Sequence, residues 1–313
     1  MSDPQKRSFY NTHGKSTGNA DSTFADPEEF FKSQFGGDKF TDIIGEISIA
    51  KDFKEAMSSG IKKAQGVEDS TPDESLSMEE KAAIKESRIL TLVEKLKAKL
   101  SLYVDAFPVH PADAPVGSTL EEISKECLAS FRAIAQMEAD SLKNESYGVQ
   151  LLHAIGYTYS SKGHYYISKL DLEEGHVLKK VWGLGSTWTG TFKEKAHIFS
   201  DTIGTVRTAL DLQASFAKLQ EMDKKGETTQ QDLSMEEQQA RQKLEFEAAQ
   251  KGMEALWRGS KLEVESVLRE VCDRTLSDAL VDKIVLRRRA IALEALGQVY
   301  QSVKEDSPGP SQP

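Results

Sequence analysis

Cysteine is scarce in this sequence, where Cys127 and Cys272 are the only two among 313 residues. They lie far apart, and neither a Cys-x-x-Cys pair nor a Cys/His cluster accompanies them. This pattern excludes a disulfide framework and the common zinc sites. Both cysteines stand in apolar surroundings of helical character, so we interpret them as buried free thiols. The sequence therefore predicts a protein of a reducing compartment, with the cytoplasm as its default location.

Long apolar runs and an excess of positive charge are also missing. No stretch of about 18 uninterrupted apolar residues occurs, so the sequence predicts no transmembrane helix. The first residues, which include Asp3, Lys6 and Arg7, do not resemble a secretory signal. Forty basic residues stand against fifty acidic ones, and the net charge of −10 argues against a general binder of nucleic acid or of anionic membranes. A local basic patch is compatible with this balance, so peripheral association with a membrane stays an alternative.

The motifs that usually carry catalysis are absent as well. There is no Gly-x-Ser-x-Gly turn, no Gly-x-x-x-x-Gly-Lys phosphate loop and no His-Glu-x-x-His pair. The closely spaced glycines of residues 183–190 lack the Lys-Ser/Thr that phosphate binding requires, and His176 has no second histidine four residues away. The arginines at 287–289 are interpreted as a solvated edge or as ion-pair partners. We expect no enzyme and no catalytic, cofactor or metal site; an enzyme hidden in residues 171–190 is the weakest hypothesis.

Apolar residues recur instead at the helical period along most of the chain. Ser77 and Glu80 form a capping box before one such segment, and Ser118 or Thr119 caps the next. The first of these segments has a predicted buried stripe of Ile84, Ile89, Leu92, Val93, Leu96, Leu100 and Tyr103. Further helices are predicted over 118–146, 147–169, about 188–222, about 234–257 and 260–303. The fold class is therefore all-α, an elongated bundle of long antiparallel amphipathic helices with disordered linkers at 14–25, 58–76 and 223–233 and a disordered tail at 305–313.

An aromatic segment precedes these helices. Asp26 and Pro27 suit a helix start, and Phe30, Phe31 and Phe35 line a short helix that Gly36-Gly37 ends. A second apolar face follows, made of Phe40, Ile43, Ile44, Ile47 and Phe53 at three- and four-residue spacings. We interpret the phenylalanines at 30, 31 and 35 as core residues. The alternative, which we keep, is that they contact a partner or a client protein.

A short pattern, Leu-x-x-Ile/Leu-Gly-x-x-Tyr, occurs twice. It places Gly156 and Tyr159 in one helix and Gly297 and Tyr300 in another. The first helix of a tetratricopeptide repeat has a similar signature, but such repeats recur every 34 residues and these copies are 141 residues apart. We therefore favour close helix–helix packing at the two glycines. The alternative is that the two Gly-Tyr helices form a groove that contacts a partner.

Taken together, these segments resemble one family. "DPEEFFKSQFGGDKFTDIIGEISIAKDFKEAM" (26–57), "LLHAIGYTYSSKG" and "ALWRGSKLEVESVLREVCDRTLSD" are similar to the X-domain of fungal and plant class C J-domain (DnaJ-like) proteins. The resemblance covers about residues 24–303, and the domain is assigned to residues 26–304. Residues 1–13, "MSDPQKRSFYNTH", are similar to the end of a J domain and are interpreted as a remnant of its last helix.

The resemblance also implies an activity that these residues lack. In such proteins the J domain carries a His-Pro-Asp motif that stimulates ATP hydrolysis by heat-shock protein 70. The closest string in this sequence is His110-Pro111-Ala112-Asp113, which has an extra residue and lies in a Pro-rich turn. The chain as given is therefore expected not to stimulate the ATPase. Either it is a truncated product or an incorrect gene model, or it is a natural version without a J domain.

The function that the resemblance implies is the client- or target-binding part of a J-domain co-chaperone. It would act in cytosolic protein folding and in protein import into organelles, with peroxisomes as one candidate and an organelle surface as a second location. Its partners would be client polypeptides, and heat-shock protein 70 where a J domain is present. The alternative is a helical scaffold or adaptor for protein–protein interaction with no chaperone role.

Overall fold

The computed structural model of the chain describes residues 38–48, 77–107, 119–174 and 235–305. These ranges contain helices and turns and no β-strand, which confirms the all-α prediction. Within these ranges, a 3-10 turn at Asp38–Phe40 is followed by six α-helices: α1 (Thr41–Ile44), α2 (Met78–Val104), α3 (Leu120–Leu142), α4 (Gly148–Glu173), α5 (Met235–Leu276) and α6 (Lys283–Ser302).

Several predictions lie outside the described residues. They are the J-domain remnant, the linkers at 14–25, 58–76 and 223–233, the helix at 188–222, the tail from residue 306, and the phenylalanines Phe30, Phe31 and Phe35.

The N-termini of α2 and α3 are closed by their own side chains. The Ser77 hydroxyl accepts from the Glu80 amide while the Glu80 carboxylate accepts from the Ser77 amide. Thr119 and Glu122 make the same reciprocal pair at the start of α3. Because the backbone amides donate to these carboxylates, the pKa values of Glu80 and Glu122 are lowered. The capping box at Ser77 and the cap at Thr119 are thus confirmed.

The α6 helix is the centre of the bundle, since it contacts α2, α3, α4 and α5. It runs antiparallel to α4: Lys283 Nζ lies 3.0 Å from a Glu173 carboxylate oxygen at one end, and Gln150 Nε2 donates to Glu305 over 3.0 Å at the other. Small and apolar side chains are buried around α6, namely Ala290, Ala292, Leu293, Ala295, Leu296, Val299 and Tyr300. These side chains join residues of α2, α3, α4 and α5 in one hydrophobic core.

The α5 helix differs from the prediction. A break was expected between residues 257 and 260, but one helix of 42 residues runs from Met235 to Leu276. Gly259 lowers the local helix propensity by about 1 kcal/mol, yet the following turns bury Val264, Val267 and Leu268 completely or nearly so. Burial of these side chains outweighs the local preference. The chain turns later, at residues 277–282, before α6 begins.

The α1 helix is also shorter than expected. The helix that begins the predicted apolar face from Phe40 to Phe53 ends before Gly45, which has a φ of +70°. Phe40, Ile43 and Ile44 are buried as the pattern requires, and Ile47 is half-buried. Phe53 lies outside the described residues. A positive φ is incompatible with continuing a right-handed helix, and glycine adopts it without the steric cost that other residues have. The helix therefore ends at this position.

Candidate functional site

The repeated Gly-Tyr pattern lies where α4 crosses α6. A Cβ atom placed on Gly156 would lie 2.7 Å from the carbonyl oxygen of Gly297, and a Cβ on Gly297 would lie 2.6 Å from the carbonyl oxygen of Gly156. Gly163 repeats this closeness one to two turns further, with Ala290 and Glu294 of α6 against it. The backbones of the two helices are therefore in direct contact, as the packing interpretation requires.

The two tyrosines of the pattern are buried beside this crossing. Their ring centroids lie 6.4 Å apart, and the Tyr300 hydroxyl donates to Glu138 of α3 over 2.9 Å. Lys99 of α2 binds the other carboxylate oxygen of Glu138 at 2.6 Å. Burial raises the pKa of both Tyr159 and Tyr300 well above 10, so both hydroxyls are neutral donors. Tyr300 thus connects α6 to α2 and α3 through a hydrogen-bonded polar cluster.

The structure brings Gly156, Tyr159, Gly297 and Tyr300 together, and packing within the chain occupies the space between them. Contact of these four residues with a partner stays a prediction, and so does that of the three phenylalanines outside the described residues. An open surface lies elsewhere.

A groove opens between the segment of residues 41–48, the N-terminal half of α2, and α5 around Glu263. We call it the α1–α2–α5 groove; its volume is about 750 Å³. Its lining is largely apolar, with Ile47, Met78, Ala82, Ile84, Leu92 and Val267 among the contributors. A groove of this size lies within the range of ligand-binding clefts, which is about 300–1,000 Å³.

One wall of the groove is held by a part-buried arginine. Arg88 donates from Nε and Nη2 to the carbonyl oxygen of Ile44 at 2.9 and 2.6 Å, and from Nη1 to Glu263 of α5 at 2.5 Å. The same Glu263 oxygen accepts from the Ser48 amide at 2.8 Å. The Arg88 side chain also packs over Gly45. This pair therefore joins the 41–48 segment to both α2 and α5.

Ile84 is the residue at which the sequence prediction for α2 is wrong. It belongs to the predicted buried stripe, but 53% of its surface is exposed in the groove. The remaining members of the stripe are buried as predicted. Met78, one and a half turns earlier, is 84% exposed on the same groove. The helical period places Ile84 beside the stripe, while the absence of a covering neighbour is visible only in the folded chain.

The three consecutive arginines are used within the fold. Arg287 binds Asp171 and Glu174 at the end of α4, both at 2.7 Å. The Arg288 guanidinium lies 3.8 Å above the ring of Phe107. Arg289 Nη1 lies 3.6 Å from a carboxylate oxygen of Asp278. The interpretation of this run as ion-pair partners is therefore confirmed for Arg287 and Arg289.

The titratable side chains of the described ranges are spread over the bundle rather than grouped as metal ligands. Across the four described ranges, no group of three His, Cys, Asp or Glu side chains is arranged to hold a metal ion. Cys272 is buried and Cys127 is half-buried, and neither forms a disulfide bond. None of the helices in the described ranges combines the length and the apolar character that crossing a membrane requires.

Comparison with known proteins identifies the family. A family model described as the X-domain of DnaJ-containing proteins matches residues 85–311. A J domain-containing protein of Schizosaccharomyces pombe is 30% identical over 97% of this chain and 77% of its own length. Protein CAJ1 of Saccharomyces cerevisiae is 27% identical over 97% of this chain and 78% of its own length. The DnaJ-like protein 1 of the same yeast is 26% identical over 96% and 80%.

No solved structure matches the chain in the corresponding comparison. The family match spans most of α2 and all of α3 to α6, which are the helices that surround the core and carry two sides of the groove. The chain therefore belongs to the family of DnaJ-type co-chaperones that carry an X-domain.

Proposed function

We propose that the helical bundle is the client- or target-binding part of a DnaJ-type co-chaperone of heat-shock protein 70. The observation that carries this proposal is the α1–α2–α5 groove, because it exposes large apolar side chains at a concave surface. The process that it serves is protein folding in the cytoplasm and delivery of precursors to an organelle, with peroxisomes as one candidate.

The groove offers what an unfolded polypeptide needs. Such a chain presents apolar side chains that water would otherwise surround, and their burial against Ile84 and Met78 is favourable in proportion to the area covered. Covering the exposed half of Ile84 is worth about 1 kcal/mol. Arg88 and Glu263, two charged groups of the lining, already bind one another.

The bundle binds clients but does not itself drive the ATPase. The sequence holds no His-Pro-Asp motif, so heat-shock protein 70 is a partner only through a J domain joined to this chain. In this proposal the chain needs no catalytic activity of its own, because heat-shock protein 70 hydrolyses the ATP.

Client binding is tested by suppression of aggregation. A chemically unfolded enzyme is diluted from denaturant in the presence of the full chain, and light scattering is followed. We expect the chain to suppress scattering and Ile84→Ser to weaken that effect several-fold. The matched control is Ile134→Ser on α3, an isoleucine outside the groove that is 50% exposed against 53% for Ile84. Equal loss with both variants, or no loss with either, would contradict the proposed role of the groove.

The co-chaperone role is tested by ATP hydrolysis at steady state. The bare chain is expected to leave the hydrolysis rate of a heat-shock protein 70 unchanged, while a fusion with an authentic J domain upstream stimulates it. In the fusion, Ile84→Ser should reduce client refolding without reducing ATPase stimulation. Stimulation by the bare chain would overturn the assignment of J-inactivity. A fusion that stimulates the ATPase but never aids refolding would overturn the co-chaperone reading.

A further inference from the structure

We propose that the α1–α2–α5 groove selects apolar segments that carry acidic residues on their flanks. This inference rests on the proposed client-binding function and adds to it the chemical class of the client. An apolar groove alone would accept many sequences, so charges at its rim decide among them.

Positive charge predominates around the groove. Its lining contains four cationic side chains, Lys81, Lys85, Arg88 and Lys95, against two carboxylates, Glu46 and Glu263. The whole chain has the opposite balance, with a net charge of −10. The lining therefore has a net charge of +2, which Asp42 beside Lys95 reduces to +1, on a chain that is acidic as a whole.

The pairing of these charges identifies the position that meets a client. Arg88 is bound to Glu263, and Lys95 Nζ lies 2.6 Å from Asp42. Lys85 is exposed, and none of the described carboxylates lies within ion-pair distance of it. Lys85 lines the same groove as the exposed Ile84. A carboxylate beside a bound apolar segment gains this ion pair, whereas a lysine there is repelled.

The charge effect is largest near the apolar lining. Contacts at a partly desolvated edge are screened less than those on an open surface. An acidic flank is thus attracted toward Lys85 while the apolar residues of the segment cover Ile84 and Met78. Segments with basic flanks bury the same apolar area but do not gain the electrostatic attraction to Lys85.

The test compares two labelled peptides with the same apolar core, one flanked by glutamates and the other by lysines. Fluorescence anisotropy with the full chain measures both affinities. We expect the glutamate-flanked peptide to bind at least about threefold more tightly at low salt. The ratio should approach one near 1 M salt, where the Debye length falls to about 3 Å. Lys85→Glu should abolish or reverse the preference.

The control variant is Lys125→Glu, which makes the same charge change on exposed α3. Lys125 is far from the groove. Its neighbour Ser124 hydrogen-bonds Tyr103 of α2, and Tyr103 lies about 27 Å along that helix from Lys85, at 1.5 Å per residue. This variant should keep the preference, and an equal change with both variants overturns the selection by Lys85.

Two further results separate the inference from the function on which it rests. Equal affinities for both peptides, each weakened by Ile84→Ser, overturn the charge selection and support the groove. No binding of either peptide overturns both proposals, whether residues 49–76 of the chain or a second copy covers the groove.

Discussion

The contact between α4 and α6 and the α1–α2–α5 groove differ in how closely neighbouring elements pack against each other. At the first, Gly156 and Gly297 have no side chains to separate the helices, so backbone meets backbone. At the second, Ile84 and Met78 extend from α2 toward a neighbour that covers them only in part. At the first, the two helices leave no space between their backbones, and at the second an open groove of about 750 Å³ remains.

We therefore expect the α4–α6 contact to determine the stability of the bundle and the groove to determine binding. The core around α6 excludes water and has a polar cluster in which Tyr300 and Lys99 both bind Glu138. The 41–48 segment, which forms one wall of the groove, is attached to α2 and α5 by polar side chains such as Arg88. Changes at the crossing should therefore cost folding, and changes at the wall should cost binding first.

The largest effect is expected from Gly297→Ala. The added Cβ would lie 2.6 Å from the Gly156 carbonyl oxygen, so the helices must move apart and the variant should lose about 3 kcal/mol of unfolding free energy. Urea unfolding followed by circular dichroism measures this loss. Helix propensity alone gives the opposite sign, a gain of about 1 kcal/mol. A stabilised variant would thus show that the two backbones do not touch.

A smaller loss is expected from Arg88→Ala. This change removes the donors to the Ile44 carbonyl oxygen and the partner of Glu263, and it should cost about 2 kcal/mol. Hydrogen exchange should show loss of protection at Gly45, whose amide donates to Thr41, while α6 amides stay protected at low denaturant. Arg258→Ala is the control, since its pair with Glu254 is exposed and worth about 0.5 kcal/mol. Equal loss of protection in α6 would erase the distinction between the two regions.

The smallest effect concerns acid. The hydrogen bond and the charge of Lys95 lower the pKa of Asp42 below its ordinary value of 3.8. The unfolded chain therefore binds this proton more readily, and the pair stabilises the wall above about pH 4. That stabilisation is lost as the pH falls through the lowered pKa. Asp42→Asn should show a shallower loss of stability than the parent between pH 5 and 3, measured by urea unfolding. If the unfolding free energy of both proteins depends on pH in the same way, Asp42 does not stabilise the wall.

The sequence predicts features that depend on neighbours along the chain. The capping boxes need only a Ser or Thr and a Glu three residues later, as at Ser77 and Glu80. The α4–α6 crossing is distant in sequence, yet the repeated pattern around Gly156 and Gly297 predicts close packing because small residues at that spacing serve backbone approach.

The groove depends on which neighbour is missing. Ile84 has the spacing of a buried residue, and nothing in its local sequence tells that α5 passes beside it without covering it. The bond from Arg88 to Ile44 joins residues 44 positions apart. The end of α1 has a local signal in Gly45, but a glycine inside a helical pattern is also tolerated at modest cost. Only the tertiary fold decides between these outcomes.

The central position of α6 has a consequence for biosynthesis. At 5 to 20 residues per second, the ribosome adds Lys283 about 10 to 40 s after Met78. During that interval the nascent chain completes α2, α3 and α4 before it has the helix that contacts all three. The apolar faces that α6 later covers are therefore exposed to water during synthesis, as in the unfolded chains that this protein is proposed to bind. A premature stop codon anywhere before α6 should yield an aggregating product rather than a partly active bundle.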